Sequence, residues 1–317
     1  MATYKEIHGT VIETVTSDPS NPVNGQVWYN STDQVLKGFT SNPAGSWASG
    51  GNLNTGRQEI NKGGAGTQTA ALAFGGTTPP RTAITESYNG TSWTEVNDLN
   101  TAKNSLQGAG ASNTAALAFG GDTPPETAQT ELWNGSNWTE VNDLNQARGY
   151  GWGVGTSTAA LLVAGWYSSA VRALVEQWDG TSWTEIADVN TARYVLAAAG
   201  TTSNAVAFGG APVTGATELW NGSSWTEVND LNTGRSSLAG LGTYTAALAI
   251  SGNPNRAITE QWNGTSWTEV NDLSTGREDL GSTGTTTAGI AFGGNPFSAA
   301  TEEWIAPTTS TVTFTAS

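Results

Sequence analysis

Apolar and polar positions follow one short cycle along this chain. In residues 103–144, a stretch of small residues (Lys103-Asn-Ser-Leu-Gln-Gly-Ala-Gly) precedes the apolar run Ala115–Phe119, which Gly120-Gly121 closes. A continuous apolar run of that length bounded by glycine reads as a strand buried on both faces. Thr127–Trp133 then alternates, Asn134-Gly135 interrupts it, and Asn137–Asp143 returns. Asn-Gly between two strand-like runs is a strong hairpin signal, because both residues tolerate positive φ. The cycle predicts four antiparallel strands. No segment shows sustained helical spacing of apolar residues.

The cycle repeats. Its first aromatic falls at Tyr88, Trp133, Trp178, Trp220 and Trp262, with a truncated copy at Trp304, at intervals of 45, 45, 42, 42 and 42 residues. A second aromatic follows at Trp93, Trp138, Trp183, Trp225 and Trp267, and Trp47 is an upstream copy. A period in the forties with several strands per unit is the signature of a propeller, whose blades are four-stranded sheets. Glycine-pair strands number six, at Gly75-Gly76, Gly120-Gly121, Ala164-Gly165, Gly209-Gly210, Ser251-Gly252 and Gly293-Gly294. The predicted fold is therefore all-β, a six-bladed propeller over residues 47–304. Its last unit lacks a fourth strand, which an N-terminal strand at Ser46-Trp47 supplies to close the ring and remove exposed sheet edges. Residues 1–46 are expected to hold a strand and hairpin for docking or assembly, and residues 305–317 a tail strand. The small-residue stretches should be innermost, and the tryptophans should pack sheet against sheet.

Composition narrows the function classes. Hydrophobic residues make up 37%, with 40 glycines, as suits short strands and tight turns. The formal charge is −15, from 27 acids against 12 bases, a field that repels phosphate backbones and anionic membrane surfaces. Neither nucleic acid nor membrane insertion is expected. Cysteine is absent, which excludes disulfides and thiolate chemistry. Met1-Ala-Thr-Tyr-Lys-Glu-Ile lacks the apolar core of a signal peptide, so synthesis in the cytosol without ordinary secretion is expected.

An apolar strand ending in Gly-Gly, then Tyr or Trp, then Trp at a fixed short distance, resembles the Kelch repeat. Ala71-Leu-Ala-Phe-Gly-Gly76, Tyr88 and Trp93 carry the resemblance, and the later copies extend it over about residues 53–304. Kelch propellers serve as enzymes, adaptors and binding modules, so the resemblance implies fold rather than activity. The hairpin Asn21-Pro-Val-Asn-Gly-Gln-Val-Trp-Tyr-Asn-Ser-Thr, ending in Leu36-Lys37, resembles a module near the start of bacteriophage tail-fibre and virion appendage proteins. That resemblance implies a virion location, contacts with other virion proteins through the N-terminal segment, and room for a homo-oligomer.

Known propeller chemistries find no counterpart. The copper site of galactose oxidase-like propellers needs two histidines and a Tyr–Cys crosslink, whereas this chain has His8 alone and no cysteine. Trp178-Asp-Gly-Thr-Ser-Trp183 does not reproduce the Ser-x-Asp-x-Gly-x-x-Trp box of sialidases. Glu86, Glu131, Glu176, Glu218, Glu260 and Glu302 recur on the third strand, and Glu95, Glu140, Glu185, Glu227 and Glu269 on the fourth. Repetition in every unit reads as scaffold rather than as one acid–base pair. No enzyme activity, cofactor or metal is expected. Arg57, Lys103, Arg148, Arg193, Arg235 and Arg277 each open an innermost strand, with Asp98, Asp143, Asp188, Asp230 and Asp272 five residues before the last five of them. They read either as ion pairs between adjacent units or as a cationic ring that holds an anion at a channel mouth.

The copies differ most between the glycine pair and the third strand. Binding usually lives in such loops on a rigid scaffold. Trp166, Tyr167 and Arg172, with Arg81, Arg256 and Phe297 around them, are the expected ligand-binding residues. Aromatic faces stack on sugars and Arg offers fixed-geometry donors, which suits a host-surface glycan or an acidic protein patch. Tyr150, Trp152 and Tyr194 are further bulky residues on inner strands. The expected function is a phage tail fibre or capsid-attached knob. The alternatives are an intracellular adaptor propeller or a carbohydrate-active enzyme.

Overall fold

The computed structural model describes residues 12–42 and 44–314. His8 lies outside them. Among the described residues there is no helix, and 28 strands form seven four-stranded sheets. The fold is β-propeller-like.

Six sheets come from the repeats. The first comprises Gly66–Thr67, Ala70–Phe74, Thr85–Tyr88 and Trp93–Val96, paired antiparallel in chain order. The next four follow the same order. The sixth joins Gly281–Thr285, Ala288–Phe292 and Thr301–Ile305 to Ser46–Ser49, with Trp304 opposite Trp47. The predicted cycle of strands thus forms as read, including the hairpin across Asn134-Gly135, where Trp133 faces Trp138.

The count of six sheets needs correction: there are seven. The extra one pairs Glu13–Val15, Val27–Asn30, Val35–Asn42 and Thr308–Phe314, drawing on both chain ends. These terminal segments form one compact unit, and Ser46–Ala306 form another. In the terminal unit Trp28 is buried, its Nε1 donating to Asp18 Oδ1 at 3.1 Å, and Lys37 Nζ donates to Asp18 Oδ2 at 2.9 Å and Asp33 Oδ2 at 2.7 Å.

In the repeat unit the second strands are almost wholly buried, with Leu72, Phe74, Leu117, Phe119, Leu161, Val206, Phe208, Ile250 and Phe292 at 0% exposure. The aromatic pairs lie across each outer hairpin: Trp133–Trp138 ring centroids are 5.3 Å apart and Trp262–Trp267 also 5.3 Å. Each outer-strand indole also reaches the preceding sheet. Trp138 Nε1 donates to Thr85 Oγ1, Trp183 to Thr130, Trp267 to Thr217 and Trp47 to Thr259, each at 3.1 Å, and Trp93 to Thr301 at 3.0 Å. The remaining seam has Val175 where the others have Thr, so Trp225 Nε1 turns to the Ala187 carbonyl at 3.1 Å. One pattern therefore runs through six seams, including the one between the sixth sheet and the first.

A second cycle runs through the inner strands. One residue per repeat sheet, Glu59, Ser105, Tyr150, Val195, Ser237 and Asp279, has φ between 46° and 61°. Non-glycine residues seldom adopt this left-handed conformation, and a β-branched one such as Val195 least of all. It turns each N–H onto the carbonyl of its counterpart in the neighbouring sheet. Glu59 donates to Asp279, Ser105 to Glu59, Tyr150 to Ser105, Val195 to Tyr150, Ser237 to Val195 and Asp279 to Ser237, at 2.7–3.0 Å.

Candidate ligand-binding face

The cations that open the inner strands are buried. Arg57, Lys103, Arg148, Arg193 and Arg235 are at 0% exposure and Arg277 at 2%. Each is paired with the third-strand glutamate of its own sheet: Arg57 with Glu86, Lys103 with Glu131 at 3.1 Å, Arg148 with Glu176, Arg193 with Glu218 at 2.9 Å, Arg235 with Glu260, and Arg277 with Glu302 at 3.1 Å. The anion-ring reading is corrected by this geometry, since a desolvated cation already held by a carboxylate does not present charge to a ligand. Burial lowers the pKa of all six, and the paired glutamate opposes the shift.

The preceding aspartates are not the partners either. Asp98, Asp143, Asp188, Asp230 and Asp272 each accept a third-strand N–H, from Thr85, Thr130, Val175, Thr217 and Thr259. The second oxygen of each buried glutamate binds the linker from the preceding sheet. Glu131 Oε2, for example, accepts from Asn100 N at 2.7 Å and Asn100 Nδ2 at 2.9 Å. The third-strand carboxylates are thus scaffold parts, whereas Glu95, Glu140, Glu185, Glu227 and Glu269 on the fourth strand are exposed.

The variable positions after the glycine pairs lie beside the starts of the inner strands. Backbone bridges join Gln58 to Thr77, Asn104 to Asp122, Gly149 to Trp166, Tyr194 to Ala211 and Glu278 to Asn295, and Asn253 N donates to the Ser236 carbonyl. These pairs divide the face in two. The third and fourth repeat sheets contribute aromatics: Trp166 lies 4.9 Å from Tyr194 at an interplanar angle of 51°, and Tyr194 lies 6.5 Å from Tyr150, edge to face at 87°. All three rings are half-buried.

The other sheets contribute a polar network. Asn104 Nδ2 donates to Glu59 Oε2 at 2.5 Å and Thr77 Oγ1 donates to the same oxygen at 2.9 Å. Arg81 donates from Nε to Asn104 Oδ1 at 3.1 Å and from Nη2 to Asp122 Oδ2 at 2.8 Å. On the far side, Glu278 accepts from Asn253 and Asn295. Burial raises the Tyr150 hydroxyl pKa, and the charge of Glu59 adds to the shift.

The expected binding residues are therefore only partly brought together. Trp166 and Tyr167 belong to an extended strand, Ala159–Tyr167, whose hairpin with Ala170–Trp178 turns at Ser168-Ser169. The loop expected there is strand, and Trp166 packs on Tyr194 rather than standing free. The Arg172 guanidinium lies 5.8 Å from the Tyr167 ring centroid and donates to the Tyr167 carbonyl. Arg81 is spent on Asn104 and Asp122. Arg256 is exposed in the fifth repeat sheet and Phe297, 43% exposed, lies in the sixth, both outside the aromatic group. Trp152 is a core residue at 0% exposure. The expectation of donors suited to an acidic patch weakens accordingly, because both Arg81 and Arg172 have partners.

Omitted from the expected set were Tyr150, Tyr194, Asn104, Glu59 and Asp122. Tyr150 and Tyr194 stand out in the sequence as bulky inner-strand residues, where the other copies hold Glu59, Ser105, Val195, Ser237 and Asp279 or Gln58, Asn104, Gly149, Ser236 and Glu278, whereas Asn104, Glu59 and Asp122 carry no comparable signal.

Farther along the inner strands, a cavity of about 120 Å³ is lined by Gly64, Gly110, Gly153, Gly200, Gly242 and Gly284, among others. Its walls are mostly backbone, and the Thr283 hydroxyl is already bonded to the Gly66 carbonyl at 2.6 Å. Among the described residues, no group of three or more His, Cys, Asp or Glu side chains is arranged to hold a metal ion.

No protein-family model matches the chain, and no curated protein matches it in sequence. Its fold is similar to that of a solved structure described as "Structure of YjhT", a β-propeller, with a TM-score of 0.66 and 11% identity over 82% of this chain and 99% of that one. At that identity the likeness is one of fold: repeated four-stranded sheets arranged as in a propeller.

Proposed function

We propose that this chain is a bacteriophage virion appendage protein whose repeat unit is a six-bladed, Kelch-like propeller that binds a host-surface glycan without catalysing a reaction. The observation that carries the binding reading is the aromatic group Trp166–Tyr194–Tyr150. It places three half-exposed rings beside amide and carboxylate groups on one face, in two sheets of a repeat that holds no other aromatic at these positions. Rings present flat apolar surface for the C–H faces of a sugar, and Asn104, Asp122 and Glu59 supply hydroxyl partners alongside.

Closure of the six repeat sheets by Ser46–Ser49 is supported by the two hydrogen-bond cycles, each of which returns from the sixth sheet to the first. A non-catalytic role is supported by the third-strand glutamates, all engaged with buried cations. The virion location rests on the resemblance of the Asn21–Lys37 hairpin, and the terminal unit is the segment that would meet other virion proteins.

Two measurements test this reading. Mass spectrometry of purified particles should find the chain, and its absence there ends the virion assignment. Trp166→Ala and Tyr194→Ala should each weaken adsorption or glycan-array binding tenfold or more, while Asn134→Ala and Asn221→Ala, in outer hairpin turns, leave it unchanged. Unimpaired binding by both aromatic variants would move the site elsewhere. Retained binding to deglycosylated host cells would make the receptor a protein.

A further inference from the structure

Among the described residues, the terminal sheet ends in a strand whose edge differs from those of the first five repeat sheets. There, Thr308–Phe314 is last in its sheet and pairs with Val35–Asn42 alone. Edge strands offer unpaired N–H and C=O groups to other chains, and proteins blunt them with charge, proline or short length. The outer strands Trp93–Val96, Trp138–Val141, Trp183–Ile186, Trp225–Val228 and Trp267–Val270 are each four residues long with a glutamate at the third position. Thr308–Phe314 is seven residues of Thr, Ser, Val and Phe with neither charge nor proline. Thr311, Val312, Thr313 and Phe314 are exposed.

The register makes one face of this sheet apolar as well. Phe314 lies opposite Leu36, which lies opposite Tyr29, and Val312 lies opposite Gly38, which lies opposite Val27. Tyr29, Val312 and Phe314 are 36%, 45% and 49% exposed. Lys37 falls on the other face, in the row of Trp28 and Thr313. A chain of net charge −15 repels its own copies wherever acids meet, so an uncharged edge continuous with an uncharged apolar face is where two copies can approach.

We propose that two copies of this chain join edge to edge through Thr308–Phe314, antiparallel about a two-fold axis, making one eight-stranded sheet with a continuous apolar face. A strand paired with its own copy is self-complementary, as a two-fold interface requires. Threonines face one another across the axis, and like charges placed there would repel.

Sedimentation velocity on the full chain tests the pairing. The parent should sediment at twice 32.7 kDa. The double variant Thr311→Glu, Thr313→Glu should sediment as a monomer with its near-ultraviolet circular dichroism intact. Mixing it with the variant Thr311→Lys, Thr313→Lys should restore a dimer, which a merely misfolded sheet could not do. A monomeric parent, a parent trimer, a dimer indifferent to the glutamates, or a mixture that stays monomeric each overturns the proposal.

Discussion

Replacing Arg148 with Met isolates what the buried ion pairs contribute. Arg148 and Glu176 are both at 0% exposure, and the guanidinium also donates to the Ala164 and Gln146 carbonyls at 3.2 Å. Met fills similar volume but leaves a carboxylate in the interior. Removing one partner of such a pair costs about 3–5 kcal/mol, mostly through the stranded charge. Glu176 would keep Asn145 N at 2.7 Å, Asn145 Nδ2 at 2.8 Å and Gln146 N at 3.3 Å, so the lower end applies. A loss of about 3 kcal/mol corresponds to roughly 6–12 °C in the thermal midpoint of a unit this size. Adding Glu176→Gln removes the stranded charge while keeping an acceptor for Asn145, so the double variant should be more stable than Arg148→Met alone. The assay is a double-mutant cycle on urea and thermal midpoints, followed by tryptophan circular dichroism. A loss under about 1 kcal/mol for Arg148→Met, or a double variant whose loss is the sum of the single ones, would refute the reasoning.

Two further outcomes follow from single contacts. The Tyr88 hydroxyl donates to Glu303 Oε1 at 2.6 Å, and burial together with that bond pushes its pKa up to about 12. The folded state therefore favours the neutral phenol, a stabilisation complete below the ordinary value of 10.0 and lost as pH rises through about 12. Ultraviolet titration should show a late tyrosine step that Tyr88→Phe removes, and a Tyr88 titrating near its ordinary value contradicts the contact. Gly153→Ala would set its Cβ 2.2 Å from the Gly108 carbonyl oxygen, where inner strands meet backbone to backbone. Overpacking of this kind costs about 1–3 kcal/mol, and an unchanged thermal midpoint would show that the strands can separate.

Legibility in the sequence varied with how local the cause was. The strand cycle and the place of Ser46-Trp47 beside the last repeat could be read because each depends on side-chain alternation and turn chemistry within a few residues. Arg148 and Glu176 could not be paired in advance. The charge nearest in sequence was the aspartate five residues upstream, whereas the actual partner arrives from the third strand of the same sheet. The aromatic face was half legible: Trp166 stood out against its counterparts, but its contact with Tyr194 joins two different repeats. The terminal sheet was not legible as a sheet, because its fourth strand comes from the opposite end of the chain.

The sequence alone thus determined an all-β chain of repeated four-stranded units, since period, glycine pairs and Asn-Gly turns act through local backbone preference. Tertiary structure decided which buried charges neutralise one another, which aromatics share a face, and that Glu13–Asn42 and Thr308–Phe314 build a seventh sheet. Those outcomes depend on how sheets rotate and pack against each other. Residues far apart in the chain then meet at distances of a few ångströms that no local pattern encodes.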